Sequence, residues 1–145
     1  MIPPFTSPTG YLPPGIHDAT WGELVARYGI NPYRARLLDG LLAALRNLRG
    51  AGCLVALIDG SFVTAKRFPG DYDGAWDPGG VDPGLVDPIL LTFDNSRAAM
   101  KAKYLGELFP ATWPAAPGVA FAEFFQKDRD GVAKGLVRLG LKDLP

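Results

Sequence analysis

Hydrophobic side chains in the first half of the chain recur with a helical period. Leu37, Leu38, Leu41, Leu42, Leu45 and Leu48 are spaced by threes and fours, while Arg34, Arg36, Arg46 and Arg49 fall largely elsewhere. The spacing predicts an amphipathic helix whose leucine stripe faces a core. Asn31 and Pro32 supply a cap and a proline at the first helical position, and the helix is expected to end near Gly50. Upstream, Thr20-Trp-Gly-Glu23 reads as a capping box, in which the threonine hydroxyl and the glutamate each satisfy one end of the first turn. A short helix from Trp21 to Tyr28, stopped by Gly29, is expected there.

Beyond Gly50 the period changes. Cys53 to Ile58 is a continuous apolar run, short and partly β-branched, as in a strand covered on both faces. Asp59-Gly60-Ser61 ends it in a tight turn, Lys66 to Gly70 reads as loop, and Asp71 to Trp76 as a second strand. Asp82-Pro83 opens a short helix through Leu91, re-aimed at Pro88, and Asp94-Asn95-Ser96 offers caps for a helix running to about Leu108. Residues 109–118 read as a linker of prolines and alanines. Val119 to Gln126 and Gly135 to Leu141 read as two strands joined through a turn at Asp130-Gly131. Residues 1–16, with five prolines, read as an extended arm on a single domain formed by residues 17–145.

Composition narrows the classes. A chain of 145 residues suits one domain with a real core. Its 15 basic and 15 acidic residues cancel, so the chain as a whole offers no general attraction for a nucleic-acid backbone. The single cysteine, Cys53, lies in an apolar run and is expected to be a buried thiol, and the single histidine, His17, makes no metal site by itself. No apolar run approaches the roughly 18 residues of a membrane span, and the first residues lack a basic-then-apolar leader, so a cytoplasmic protein is expected.

The chemistry concentrates between Gly60 and Asp73. On a strand, Asp71 and Asp73 share one face with their α-carbons roughly 6.6 Å apart, a spacing from which two carboxylates can hold Mg²⁺. Tyr72, Gly74 and Trp76 share the other face. Gly60 lets a backbone approach closely, the Ser61 hydroxyl can bond a phosphate oxygen, and Lys66 and Arg67 lie on the connecting loop, so a nucleotide-phosphate site is one reading. The other is structural: Asp-Tyr-Asp-Gly is also a good turn sequence, and Gly-Ser pairs are common in loops.

The order of an apolar strand, Gly60-Ser61, nine intervening residues and Asp71-Tyr72-Asp73 resembles the signature of the DNA polymerase β-like, or minimal, nucleotidyltransferase superfamily. Leu12-Pro-Pro-Gly-Ile16, Asp59-Gly-Ser-Phe-Val-Thr64, Phe124-Phe-Gln-Lys-Asp-Arg129 and Lys134-Gly135 are similar to an uncharacterised bacterial family within it. The resemblance implies an α/β (α+β) fold, with a mixed sheet packed against a long amphipathic N-terminal helix. It implies that Ser61 touches nucleotide phosphates and that Asp71 and Asp73 hold Mg²⁺, beside the close approach at Gly60 and the assisting cation of Lys66 read from the residues themselves. A third carboxylate on a later strand is also implied; its match is Glu123, with Asp77 as rival. The implied activity transfers a nucleoside monophosphate from a nucleoside triphosphate to a hydroxyl on an acceptor, for instance a toxin partner in a toxin–antitoxin pair. Because Gly74-Ala-Trp-Asp-Pro78 soon breaks the second strand, a catalytically weak or inactive binding module of the same fold, such as an antitoxin-like or prophage-encoded interaction protein, is the alternative, and a sugar-nucleotide glycosyltransferase is a third class.

Overall fold

The computed structural model describes residues 1–145, with Ala116 described for its backbone alone. It is one small α+β domain: a mixed five-stranded sheet, four α-helices and a separate two-stranded hairpin. In chain order the elements are β1 (Gly15–Ala19), α1 (Trp21–Tyr28), α2 (Pro32–Gly50), β2 (Val55–Asp59), β3 (Tyr72–Trp76), α3 (Asp94–Tyr104), β4 (Gly106–Pro110), β5 (Pro114–Ala116), β6 (Val119–Ala120), α4 (Phe121–Phe124) and β7 (Gly135–Gly140). Short 3-10 turns occupy Ser61–Val63, Pro83–Leu85 and Pro88–Leu91.

The sheet runs β1-β7-β2-β3-β4. β1 and β7 are parallel, β2 is antiparallel to both of its neighbours, β7 and β3, and β3 and β4 are parallel. The local end signals of the first two helices act as read: Thr20 and Glu23 form the capping box of α1, and the Asn31 side chain accepts the Arg34 N–H at 2.8 Å. Leu37, Leu38, Leu41, Leu45 and Leu48 are buried and pack with Leu24, Tyr28, Ile58, Tyr72 and Val137 on one face of the sheet. The opposite face carries a smaller cluster of Leu57, Ala75, Phe109, Phe125 and Leu136.

Two element bounds fail on long-range pairing, and the arm, expected to tie down on the domain surface, also contributes to the sheet. The arm is tied into the fold at both ends: Ile2 and Leu12 are buried, and Gly15–Ala19 adds an edge strand to β7. The helix read from Asp94 to Leu108 stops at Leu105, which takes a left-handed φ of 66°, and Gly106–Pro110 becomes β4. Close packing fixes that stop. A Cβ on Gly40 of α2 would lie 2.3 Å from the Tyr104 carbonyl oxygen, and one on Gly106 would lie 2.6 Å from the Tyr72 ring, whose hydroxyl donates to the Tyr104 carbonyl at 2.7 Å. The strand read from Val119 to Gln126 is mostly the short helix α4, because Phe121 stacks on Phe109 with ring centres 4.2 Å apart and Phe125 turns inward to the same cluster.

Candidate functional site

Sheet register gathers carboxylates from three neighbouring strands. Asp59 at the end of β2 faces Asp73 of β3, and Asp73 faces Glu107 of β4. Paired residues on adjacent strands share a face, and Asp71, one residue ahead of β3, is near enough for its charge to act on Asp73. Asp59, Asp73 and Glu107 therefore lie on the face opposite α2, beside the Leu57–Ala75–Phe109 cluster, with Asp71 at the sheet end just ahead of β3.

Their surroundings differ. Glu107 is held by α3: its Oε1 accepts from Lys101 Nζ at 2.8 Å and from Arg97 at 3.3 Å. Arg97 reaches it from a backbone turn in which Asn95, Ser96 and Arg97 all have positive φ, of 52°, 53° and 61°. Left-handed conformation is strained for such residues, so this turn is held by the structure around it. At the other end of the row Asp59 is fully buried, with neither carboxylate oxygen hydrogen-bonded, and the Lys134 ammonium stands 3.4 Å from Oδ2. Burial raises the Asp59 carboxyl to about 6 against the pull of Lys134.

Asp71 and Asp73, in the middle, have no ion-pair partner among the described residues. Burial first, then the charges of Asp71, Glu107 and Asp59, pushes the Asp73 carboxyl up to about 7. Burial and the charge of Glu107 raise Asp71 also, against Lys101 and Lys66. Gathered anions with raised affinity for protons have the same cause for affinity toward a cation.

Gly60 supports this arrangement directly. Its φ of 79° and ψ of −171° lie in a region that only glycine adopts readily. A Cβ there would stand 2.4 Å from Asp73 Oδ2. The space above the glycine is thus taken by the Asp73 carboxylate. Ser61 follows at the head of the 3-10 turn, half-buried, with its carbonyl accepting the Thr64 hydroxyl at 2.6 Å. The loop beyond is pinned from below by Arg34, which is buried and donates to the carbonyls of Phe62 at 2.7 Å, Thr64 at 3.2 Å and Lys66. Lys66 itself is exposed, near enough to Asp71 for its charge to act there.

Gly60, Ser61, Lys66, Asp71 and Asp73 are therefore brought to one region, while Glu123 is not. It sits exposed on α4, lining a groove of about 420 Å³ with Asp77 and Arg138. It is absent from the charges that act on Asp73. Asp77 lies four residues past Asp73, roughly 13 Å along the strand, with its Oδ1 accepting the Gly79 N–H at 2.9 Å. The acid beside Asp73 is Glu107. The sequence carried a signal for it: basic Lys101 and Lys103 in a last helical turn, then Gly106, mark a helix stop, after which Glu-Leu-Phe-Pro reads as a short strand.

Among the described residues no three His, Cys, Asp or Glu side chains already form a metal cage. A site of two unpaired carboxylates fits a cation that keeps several waters and takes its remaining oxygens from substrate, which is the habit of Mg²⁺. Among the described residues no helix is long and apolar enough to cross a membrane.

A family model described as "Family of unknown function (DUF6932)" matches residues 3–140. No curated protein and no solved structure matches the chain.

Proposed function

The chain belongs to that family, whose description names no activity, and we propose from the site itself that it is a Mg²⁺-dependent nucleotidyltransferase of the minimal type. It would move a nucleoside monophosphate from a nucleoside triphosphate to a hydroxyl acceptor, with a partner protein such as a toxin as one candidate acceptor. One observation carries the reading: Asp73 and Glu107 are in register on two parallel neighbouring strands, with Asp71 just ahead of Asp73 and neither aspartate in an ion pair among the described residues.

Asp71 and Asp73 would hold Mg²⁺, which when bound neutralises phosphate charge and steadies the oxygens of the displacement. Glu107, beside them, is the group placed to take the acceptor hydroxyl's proton once Lys101 and Arg97 release it. Ser61 would bond a phosphate oxygen, and Lys66 would offset charge at the mouth. Gly60 serves the site by leaving room for Asp73.

The test incubates the protein with α-labelled ATP, CTP, GTP and UTP, Mg²⁺ and the proteins encoded beside it. Label should pass to an acceptor with release of pyrophosphate. Equal labelling by an Asp71→Asn, Asp73→Asn double variant would overturn the reading. A second reading, a nucleotide-binding module without turnover, is favoured by the occupied state of Glu107, whose oxygen already accepts from two cations. Metal-dependent nucleotide binding with no label transfer to any acceptor would select it.

A further inference from the structure

Beside Asp71, on the side away from Asp59, lies a second feature of different charge. The first turns of α2, the approach to β3 and the end of α3 enclose a pocket of about 190 Å³ lined by Tyr33, Arg36, Leu37, Gly70, Asp71, Lys101 and Leu105. Arg36 has no carboxylate partner among the described residues. Lys101 contributes a second cation, its ammonium already turned toward the acid row through Glu107 at 2.8 Å. The Tyr33 hydroxyl is a third donor, resting 3.4 Å from the Gly70 carbonyl. Lys66 acts on Asp71 from the neighbouring loop. The rim is aromatic: Tyr33 and Phe68 meet edge to face at 5.8 Å, with the Arg67 guanidinium 5.4 Å from the Phe68 ring.

An arginine with no acid partner, beside two aspartates with no ion-pair partner, suits a ligand that carries negative charge next to a metal ion. The space where a Gly60 side chain would stand is filled by the Asp73 carboxylate. We infer that the pocket of Arg36, Tyr33 and Lys101 is a phosphate subsite, which seats a phosphoryl group next to a cation held by Asp71 and Asp73. This rests on the proposed metal pair for the identity of that neighbour, while the pocket can be tested without metal. The phosphoryl group comes either from the tail of the nucleotide or from a phosphorylated acceptor. Arg36 provides two parallel donors to such an anion, and Tyr33 a hydroxyl.

Calorimetric titration of the full chain with inorganic pyrophosphate, and separately with ATP, tests the inference with and without Mg²⁺. Arg36→Ala should weaken pyrophosphate about tenfold, the size of one charge-assisted hydrogen bond, and Arg36→Glu should abolish it. Both variants change an exposed helix position, and an unchanged thermal transition shows that they fold. If the subsite takes the nucleotide tail, ATP loses affinity in step and pyrophosphate competes with it. If it takes an acceptor phosphate, ATP binding is unaltered and pyrophosphate binds alongside. Pyrophosphate binding that is equal in wild type, Arg36→Ala and Arg36→Glu would overturn the inference. Loss of pyrophosphate binding in the variants together with no Mn²⁺ binding in wild type would leave the subsite standing and remove the metal reading.

Discussion

Replacing Gly60 by alanine puts a methyl group where Asp73 keeps its carboxylate. The new Cβ would stand 2.4 Å from Oδ2, 3.1 Å from Cγ and 3.2 Å from Cβ of Asp73, so the aspartate must swing away while the chain holds φ at 79°. The backbone share of the penalty is on the order of 1–3 kcal/mol. Gly80 is an internal control, since its φ is 77° and an added Cβ would meet nothing within 4 Å. Gly80→Ala should therefore show backbone strain alone, and Gly60→Ala strain plus displacement of Asp73. At roughly 2–4 °C per kcal/mol for a domain of this size, a penalty of about 3 kcal/mol lowers the thermal midpoint by about 6–12 °C. Scanning fluorimetry measures the midpoints, and Mn²⁺ titration followed by electron paramagnetic resonance measures the site. Gly60→Ala should also lose Mn²⁺ affinity while Gly80→Ala keeps it. Equal midpoints and equal Mn²⁺ affinity in the two variants would refute the claim that Gly60 is bare for the sake of Asp73.

Other consequences can be checked with similar means. Asp59 and Asp73, raised to about 6 and about 7, hold protons in the folded chain that the unfolded chain has released above about pH 4. Unfolding then releases protons, so stability falls as pH rises from about 4 to about 7 and levels off above that; the metal-free midpoint should be higher at pH 5 than at pH 8, and Asp73→Asn should reduce the difference. Arg34→Met removes the donor shared by the carbonyls of Phe62, Thr64 and Lys66. It should cost at least about 3 kcal/mol, at ~1–3 kcal/mol for each of the three partners left unmet, and should speed tryptic cleavage at Lys66 and Arg67, read by mass spectrometry. Glu107→Gln should lower nucleotidyl transfer by about 10²–10⁴, the usual contribution of a positioned base, whereas Glu123→Gln should leave it near wild type; the reverse order would return the role to α4.

Features set by neighbours in sequence were legible, and those set by partners across the sheet were not. Thr20 with Glu23, and Asn31 with Pro32, mark their helices because a cap acts within one turn. Asp73 falls on a strand as read because the signal is local, with Asp71 one residue ahead of it. Glu107 escaped because the segment from Asp94 to Leu108 has helical capping residues at its start, and only the packing of Gly40, Tyr72 and Tyr104 forces a strand at Gly106. Asp59 reads in sequence as the polar end of a strand. Its complete burial follows from β3 on one side and Lys134 ahead of β7 on the other. Gly60 was read as a place of close approach, and the group that closes on the side of its missing Cβ is an aspartate of the chain itself.

The most direct test of the central claim is Mn²⁺ binding by the wild-type chain and by Asp71→Asn and Asp73→Asn, followed by electron paramagnetic resonance with and without ATP. The account predicts saturable binding in wild type, tightened by ATP and weakened at least about tenfold in each variant, the effect of losing about 1.4 kcal/mol. Wild type that binds no Mn²⁺, or variants that titrate as wild type does, would contradict it.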